Sequence, residues 1–412
     1  MEEPATETWE NWSGNVTSTP TDFVTPESEQ ELQEIVATCH DEGRTLRVVG
    51  SGHSWTPLVA TDDLLVSLER MTGIMSVDEA ASEAVVRGGT TLEEAATELH
   101  TRGLAMPNLG DVSQQTIAGA FATGTHGTGP NFPNLAAMLV GGRIVTGTGE
   151  IRSFHKESDP EFLDAARVSL GALGIFTEIR LDLLSTYKIH RREYCTSFDA
   201  CWPHIDTLIE ENRHFDFYWY PRSDEVKLRL LNGPGGGTDH ADLTYATRVQ
   251  DETGWWHQTI PEHDEIGRTF EEMEYAVPRD RAAEFILAMR DRIRDRWRAS
   301  VGWRTLVRTV AADDAYLSAE YDRDVVTVGF LQNTELPYWD YFEDLESLAL
   351  EYDGRPHWGK RHTLRGDELR ERYPRFDDFL AVRESMDPDG LFLTPYLETL
   401  LGIASASEET DQ

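Results

Sequence analysis

A glycine turn that directly follows an apolar segment constrains this chain more than any other feature. Residues 46–49, Leu-Arg-Val-Val, predict a buried strand that runs straight into Gly-Ser-Gly-His-Ser at 50–54. Two glycines around a small serine leave backbone N–H groups free to approach phosphate oxygens. A Rossmann dinucleotide site or a simple tight turn also fits this pattern. A Rossmann site, however, needs a third glycine at a helix start, and Pro57 disfavours an immediate helix here.

A second run of small residues strengthens the prediction of a cofactor site. Residues 107–119 contain Asn-Leu-Gly-Asp and Thr-Ile-Ala-Gly, and residues 122–129 read Ala-Thr-Gly-Thr-His-Gly-Thr-Gly. Small residues at this density allow a large, flat group to lie against the backbone. Together the two segments resemble the FAD-binding half of the vanillyl-alcohol-oxidase superfamily. Within that superfamily they are most similar to the FAD-dependent sugar-1,4-lactone oxidase and alditol oxidase family.

The resemblance extends over nearly the whole chain. It includes Asn-Trp-Ser-Gly-Asn at 11–15, Gly-Ala-Leu-Gly at 171–174 and the family-specific Pro-His-Trp-Gly-Lys at 356–360. It implies an α+β fold in which a two-subdomain PCMH-type FAD-binding domain precedes a substrate (cap) domain with an antiparallel sheet flanked by helices. We place the FAD-binding domain at 1–185, the substrate domain at 186–355, a segment returning to the flavin site at 356–404, and an acidic, disordered tail at 405–412.

Site residues follow from the matching motif positions. The resemblance implies that His53 is bonded covalently to the C8α methyl of FAD. Lys360, Arg308, Asp111 and His357 are the expected catalytic residues. The apolar neighbours of Arg308 also favour a buried, paired guanidinium. The positions expected to contact FAD are Val48, Val49, Gly50, Ser51, Gly52, His53, Ser54, Gly110, Asp111, Thr116, Gly119, Ala120, Phe121, Ala122, Thr125, His126 and Ile175.

The implied reaction is oxidation of a sugar-like alcohol, with hydride transfer to flavin N5. The chain departs from the family at polar positions that hold an open-chain polyol: it has Leu306, Gly329 and Leu331 there, and Asp111 instead of a serine. Each missing hydrogen bond to a hydroxyl costs about 1 kcal/mol or more. We therefore expect a more apolar pocket that suits an aldono-1,4-lactone better than an alditol, with Asp111 as a base or a hydrogen-bond acceptor. Gly110 leaves room above the ring and favours molecular oxygen as electron acceptor.

Local patterns indicate alternating helices and strands in the first half. A helix is predicted from Thr25, with Pro26 in its first position, to Gly43, and a second helix is predicted between a Thr91/Glu94 capping box and Gly103. Strands are predicted at 46–49, 64–68, 84–86, 137–145 and 175–184, and in the second half at 215–220, 225–231, 274–277, 306–310 and 325–330. The loop at 232–237 is expected to be flexible, and 279–297 to be helical.

The charge balance is strongly acidic, with 74 Asp and Glu against 37 Lys and Arg and a formal net charge of −37. Such a surface repels nucleic acid and anionic membranes, and it predicts a halophilic protein whose self-repulsion is screened by salt. The chain has only four lysines, Lys156, Lys188, Lys227 and Lys360. Because one of them lies in the carboxyl-terminal motif, we interpret Lys360 as functional.

Three cysteines, Cys39, Cys195 and Cys201, form neither a metal-ligand pattern nor an even disulfide framework. Cys39 lies on an apolar helical stripe and is predicted to be core. No segment is long and apolar enough to span a bilayer, and the amino end lacks a signal-peptide pattern, so we expect a cytoplasmic protein. Two rivals remain at this stage: a flavin-binding protein without sugar oxidation, and a nicotinamide-dependent Rossmann dehydrogenase.

Overall fold

The computed structural model describes residues 8–233, 242–262 and 269–403. Its first half contains a three-stranded parallel sheet, ordered β3-β5-β4, and a five-stranded antiparallel sheet, ordered β10-β9-β11-β7-β6. The elements are β1 (Trp9–Glu10), β2 (Thr17–Ser18), β3 (Asp22–Val24), α1 (Glu29–Glu42), β4 (Leu46–Val49), β5 (Leu64–Ser67), β6 (Ile74–Asp78), β7 (Glu83–Arg87), α2 (Leu92–Thr101), β8 (Leu104–Ala105), α3 (Ile117–Ala122), β9 (Leu139–Val145), β10 (Ile151–His155), α4 (Pro160–Arg167), β11 (Ile175–Asp182) and β12 (Leu184–Ser185).

The second half is built on an eight-stranded antiparallel sheet with the strand order β16-β13-β15-β14-β18-β19-β17-β20. Its elements are β13 (Lys188–Ser197), α5 (Phe198–Cys201), α6 (Ile205–Glu211), β14 (His214–Tyr220), β15 (Glu225–Asn232), β16 (Thr247–Trp255), α7 (Trp256–Thr259), β17 (Phe270–Pro278), α8 (Ala282–Arg292), β18 (Thr305–Val310), β19 (Val325–Asn333), α9 (Trp339–Glu351) and β20 (Arg355–Pro356). This mixture of helices with an antiparallel substrate-domain sheet is the predicted α+β fold.

The two faces of the eight-stranded sheet differ in chemistry because successive side chains of a strand point to opposite faces. On β17, Met273, Tyr275 and Val277 lie in an apolar core shared with α6, α8 and α9. The alternate residues Glu272 and Glu274 are buried on the other face. The other central strands repeat this alternation, so the sheet buries apolar residues under its helices and charged residues on the face towards the first domain.

The last part of the chain returns to the first domain through α10 (Gly366–Arg370), α11 (Phe376–Met386) and α12 (Pro395–Leu401). The Leu46 amide donates to the Leu391 carbonyl at 2.9 Å. The buried Arg47 guanidinium donates to the carbonyls of Leu170, Gly171 and Phe392 at 2.7–2.9 Å. Strand β4, which leads into the glycine turn, is therefore held in place by the end of the chain.

Most local expectations are confirmed, but the starts of α1, β9 and β17 differ from the predicted ones, and β17 begins already at Phe270 rather than at Glu274. Helix α1 begins at Glu29 rather than after Thr25, because Ser28 caps it by accepting from the Glu31 amide, and this cap defines the start more strongly than the upstream proline. Strand β9 begins at Leu139, since residues 135–138 form a 3₁₀ turn. The Thr91/Glu94 capping box is present. Most of the predicted flexible loop and the acidic tail fall outside the described residues.

Cys39 is buried against β4 and β5, as predicted, Cys201 is buried, and Cys195 is exposed. All three thiols are free. Across the described ranges, none of the helices combines the length and the apolar character required to cross a membrane.

Candidate active site

The glycine turn after β4 packs against the start of α3 so closely that only glycine fits. A Cβ built on Gly50 would lie 2.2 Å from the Thr116 hydroxyl oxygen. The Ser51 hydroxyl donates to the Gln114 carbonyl at 2.6 Å, which ties the turn to the segment leading into α3. The first two glycine-rich segments predicted from sequence thus meet in space.

A cavity of about 300 Å³ opens beside this turn, between the two sheets of the first half. Gly89 forms part of its wall, and a Cβ there would lie 2.0 Å from the Leu68 carbonyl oxygen. The predicted cofactor residues that line the cavity are Val48, Val49, Gly50, Ser51, Thr116, Gly119, Ala122 and Ile175. Sequence reasoning missed the wall residues Ser67, Leu68, Glu69, Gly88, Gly89 and Gly174. The adjacent glycines Gly88 and Gly89, directly after β7, were the sequence signal from which part of this wall could have been predicted.

The His53 side chain lies outside this cavity and faces the carboxyl-terminal motif. Its ring stacks on Trp12 with centroids 5.8 Å apart. Burial, reinforced by the Lys360 ammonium, lowers the pKa of His53 to about 4, so its imidazole is neutral at pH 7. The Trp55 amide donates to the Gly359 carbonyl at 2.8 Å. This bond holds the loop that carries His53 against the loop that carries Lys360.

Arg308 and Asp111 form the centre of a buried ionic cluster on the charged face of the sheet. Their side chains are 2.5 Å apart, and Asp111 is also 3.0 Å from Arg229, which pairs with Asp216 at 2.5 Å. The Tyr218 hydroxyl donates to Asp111 at 3.0 Å. The predicted burial and pairing of Arg308 are confirmed. Burial would raise the pKa of Asp111, but Arg229 and Arg308 hold it well below its ordinary value, which favours an acceptor role over that of a base.

A second buried cluster joins the carboxyl-terminal motif to β17. The Lys360 ammonium donates to Glu272 at 2.5 Å and lies 4.1 Å from the centre of the Trp55 ring. His126, Glu274 and His357 lie next to this pair, with one nitrogen or oxygen of each within 4.8 Å of the others. The His357 amide donates to the Glu274 carbonyl, and the Arg361 amide to the Glu272 carbonyl. The carboxyl-terminal motif is therefore fixed along β17, the strand that carries Glu272 and Glu274.

The hydrogen bonds of His126 determine its charge. Its Nδ1 faces the Gly127 carbonyl at 2.9 Å, and its Nε2 faces the Glu274 carboxylate at 2.7 Å. Both partners can only accept, so both ring nitrogens carry protons and the ring is an imidazolium. Burial opposes this charge, but Glu274 outweighs it and raises the pKa of His126. A metal ion at this group would have to displace the Nε2 proton.

The remaining predicted FAD contacts lie in four places. Ala120 and Phe121 are buried in the largest apolar core. The Thr125 hydroxyl accepts from the Gln115 amide at 3.2 Å. A Cβ at Gly110 would lie 3.3 Å from the His126 carbonyl, so the Gly110 and His126 loops are adjacent. Gly52 and Ser54 flank His53, and their carbonyls accept hydrogen bonds from Trp12 and Asn11, respectively.

The expectation of a more apolar pocket is wrong. Leu306 does project from the charged face, but neighbouring strands supply Asp216, Arg229, Glu272 and Glu274 to the same face. These four residues were missed because strand order and register decide which side chains converge, and neither follows from local sequence. Isolated charges within otherwise apolar strand segments were the available signal.

Comparisons with known proteins agree with this geometry. A family model described as FAD binding domain matches residues 20–155, and one described as D-arabinono-1,4-lactone oxidase matches residues 265–400. An L-gulono-1,4-lactone dehydrogenase of Mycobacterium tuberculosis is 33% identical over 96% of this chain and 99% of its own. An alditol oxidase of a Streptomyces species is 31% identical over 95% of this chain and 98% of its own. This chain belongs to the sugar-1,4-lactone oxidase and alditol oxidase family.

As a member of this family, the protein is an FAD-dependent oxidoreductase. The crystal structure of cholesterol oxidase from Brevibacterium sterolicum has a TM-score of 0.84 and 16% identity, covering 96% of each chain. At that identity the likeness shows the fold alone, which is that of the PCMH-type flavoproteins. The residues present fit FAD, since the cavity is lined by glycines and small side chains, including Gly50, Ser51, Gly88, Gly89 and Gly119, which let phosphates and a flat ring approach the backbone.

Proposed function

We propose that this protein oxidises a C–OH group of an aldono-1,4-lactone and passes the electrons to molecular oxygen. The observation that carries the proposal is the pair of cationic side chains, Arg308 and Lys360, on the buried charged face beside the His53 loop. The relative named as a lactone dehydrogenase supports the substrate class. The alditol oxidase relative supports a second candidate, oxidation of an open-chain polyol. Transfer to an acceptor other than oxygen is the third possibility that the experiment distinguishes.

Bound FAD supplies a ring that accepts a hydride. The residues around it orient the alcohol and stabilise the negative charge that develops, which preorganised cations in a buried site do well. Arg308 is held by Asp111, and Lys360 by Glu272. The Gly359 amide donates to Nδ1 of His357 at 3.0 Å, so the proton of the neutral ring is on Nε2. Burial lowers the pKa of His357 to about 3, which keeps it neutral and able to donate to a substrate oxygen.

The test is anaerobic mixing of the purified holoprotein with single aldono-1,4-lactones and single alditols, monitored by bleaching of the flavin absorbance. We expect bleaching with a lactone and, after readmission of air, one hydrogen peroxide per lactone consumed. Bleaching by alditols but not by lactones would contradict the lactone as substrate and support oxidation of an open-chain polyol. Turnover with dyes but without peroxide would make the protein a dehydrogenase. No bleaching with either class would overturn the proposed oxidation.

We further propose that FAD is bonded covalently through His53. A neutral imidazole is the nucleophilic form of histidine, and its low pKa places His53 in that form at pH 7. We expect yellow colour to remain with the wild-type protein after acid precipitation, and His53→Ala to release it into the supernatant. His40→Ala, a change on the surface helix α1, serves as the control and should keep the colour in the pellet. Colour in the wild-type supernatant would contradict the covalent bond while leaving FAD binding intact.

We also propose that the protein works at high salt and in the cytoplasm. The net charge of −37 makes self-repulsion large, and the Debye length shrinks to about 3 Å at 1 M salt. The three free thiols support a reducing compartment. We expect the melting temperature to fall steeply as potassium chloride is dialysed from molar to about 0.1 M. A melting temperature independent of salt over that range would contradict the halophilic interpretation.

A further inference from the structure

We propose that Glu272 is a specificity-determining residue, whose carboxylate accepts a hydrogen bond from a substrate hydroxyl next to the carbon that is oxidised. The inference rests on the proposed oxidation of a hydroxylated sugar derivative and names the group that distinguishes such substrates. It concerns a residue outside the recognised motifs, on strand β17. Three observations support it: the space the carboxylate occupies, the way it is held, and the contrast with its neighbour Glu274.

The Glu272 carboxylate occupies a space that exists because residue 329 has no side chain. Strand β19 lies between β18 and β17, and its Gly329 is paired with Leu306 on one side and Glu274 on the other. A Cβ on Gly329 would lie 2.9 Å from Glu272 Oε1. Any larger residue there would displace the carboxylate. The oxygen thus extends across the neighbouring strand towards Leu306, the position where the sequence lacks a polar group.

The carboxylate is held at this position by Lys360. The Lys360 ammonium donates to Glu272 Oε2 at 2.5 Å, and the Arg361 amide donates to the Glu272 backbone carbonyl. Lys360 itself is fixed against the Trp55 ring and lies close enough to His53 to lower the pKa of that histidine. Through Lys360, the carboxylate therefore lies next to the loop that carries His53 and Trp55. The Lys360 bond is made to Oε2, so Oε1, which lies over Gly329, can accept from a substrate hydroxyl.

Glu274 is a poor candidate for the same role, although it lies on the same face. Its Oε1 accepts from the His126 imidazolium at 2.7 Å, and this ion pair is buried. Breaking such a pair leaves an uncompensated charge, so Glu274 stays committed to His126. Glu272 keeps one oxygen free of its lysine. A substrate hydroxyl can donate to that oxygen. A substrate that lacks the hydroxyl leaves the oxygen buried without a partner, and this cost discriminates strongly between the two substrates.

The experiment compares Glu272→Gln and Gly329→Ala with the wild-type holoprotein. Two quantities are measured: the dissociation constant of a non-reacting sugar lactone, from its perturbation of the flavin spectrum, and kcat and KM for the best substrate. We expect both variants to weaken binding and raise KM at least tenfold, with a smaller change in kcat. The penalty should disappear for the matching deoxy lactone. Gly329→Ala should add no penalty in the Glu272→Ala background, because no carboxylate remains to be displaced.

Gly254→Ala is the matched control. Its added Cβ would lie 2.4 Å from the Thr259 hydroxyl, so it crowds the opposite edge strand of the same sheet and should leave lactone binding unchanged. Unchanged lactone affinity in Glu272→Gln, with wild-type flavin content and melting temperature, would overturn the inference. So would a fall in kcat with no change in affinity. Failure of the wild-type protein to bleach with any lactone or alditol is a different result, which overturns the proposed oxidation instead.

Discussion

Replacing Arg308 with alanine is expected to reduce kcat/KM for the lactone by about 10²–10³-fold, the usual cost of removing one charge-stabilising donor from a buried active site. The Arg308 guanidinium is buried and paired with Asp111 at 2.5 Å. Without it, charge that develops during hydride transfer loses a preorganised cation. Arg308→Lys keeps the charge but not the planar fork, so we expect an intermediate loss. The measurement is steady-state kinetics on protein with matched flavin content.

Arg229→Ala separates a catalytic from a purely structural role of Arg308. Arg229 pairs with the same Asp111 and also with Asp216 and Glu262, so its loss breaks the same buried ionic network from β15, two strands away from β18. Both variants should lower the melting temperature, because each leaves buried carboxylates uncompensated. Only the Arg308 variants should lose most of their kcat/KM. Equal losses of kcat/KM in both variants would show that Arg308 acts through packing alone.

Replacing Gly50 with alanine is expected to remove most of the bound flavin. The added Cβ would lie 2.2 Å from the Thr116 hydroxyl oxygen, where the turn after β4 meets the start of α3. Relieving such an overlap costs about 1–3 kcal/mol and moves one wall of the cavity. About 1.4 kcal/mol corresponds to a tenfold change in affinity, so we expect the non-covalent binding of FAD that precedes any covalent bond to weaken about tenfold or more and the flavin content at limiting FAD to fall. The ratio of flavin to protein absorbance measures it.

The double variant Gly50→Ala/Thr116→Ala tests the cause of that loss. It removes the colliding hydroxyl and leaves the residue 116 Cβ, which lies 3.3 Å from the added methyl. Flavin occupancy should recover to the level of Thr116→Ala alone. Gly89→Ala has no such partner variant, because its Cβ would meet the Leu68 backbone carbonyl at 2.0 Å. Full occupancy in Gly50→Ala would show that the turn does not approach the cofactor closely.

The features predictable from sequence are those that a short stretch of chain determines by itself. The strand before Gly50, the Thr91/Glu94 capping box and the strand at 215–220 are confirmed, because each depends on neighbouring residues. Lys360 was singled out because lysine is rare in this chain and because it lies in a motif. Its role stays a prediction, but the structure does place it in the buried ionic face.

The parts that sequence reasoning missed depend on strand order. Arg308 lies on β18, which pairs with β19 on one side and with β14 on the other. Strand β19 follows β18 in the chain, but β14 is far from it in sequence. Asp216 therefore faces Arg308 across 92 residues of sequence, and no local pattern reports that pairing. The substitution at Leu306 suggested a less polar pocket because it was considered alone. The carboxylate that compensates for Leu306 comes from Glu272. This residue lies on β17, two strands away from β18 in the sheet and outside the sequence motif that contains Leu306.

The anchoring of β4 by the end of the chain has a consequence for biosynthesis. Arg47 donates to the Phe392 carbonyl, 345 residues later, and the His53 loop is tied to Gly359. During translation, the amino-terminal half emerges with the glycine turn at 50–54 but without the later residues that hold this turn and the His53 loop in place. These contacts to β4 and to the His53 loop can therefore form only after the segments around Gly359 and Phe392 have left the ribosome. We expect FAD to be retained only by products that contain these segments, so a nascent chain that stops before residue 359 should bind FAD weakly.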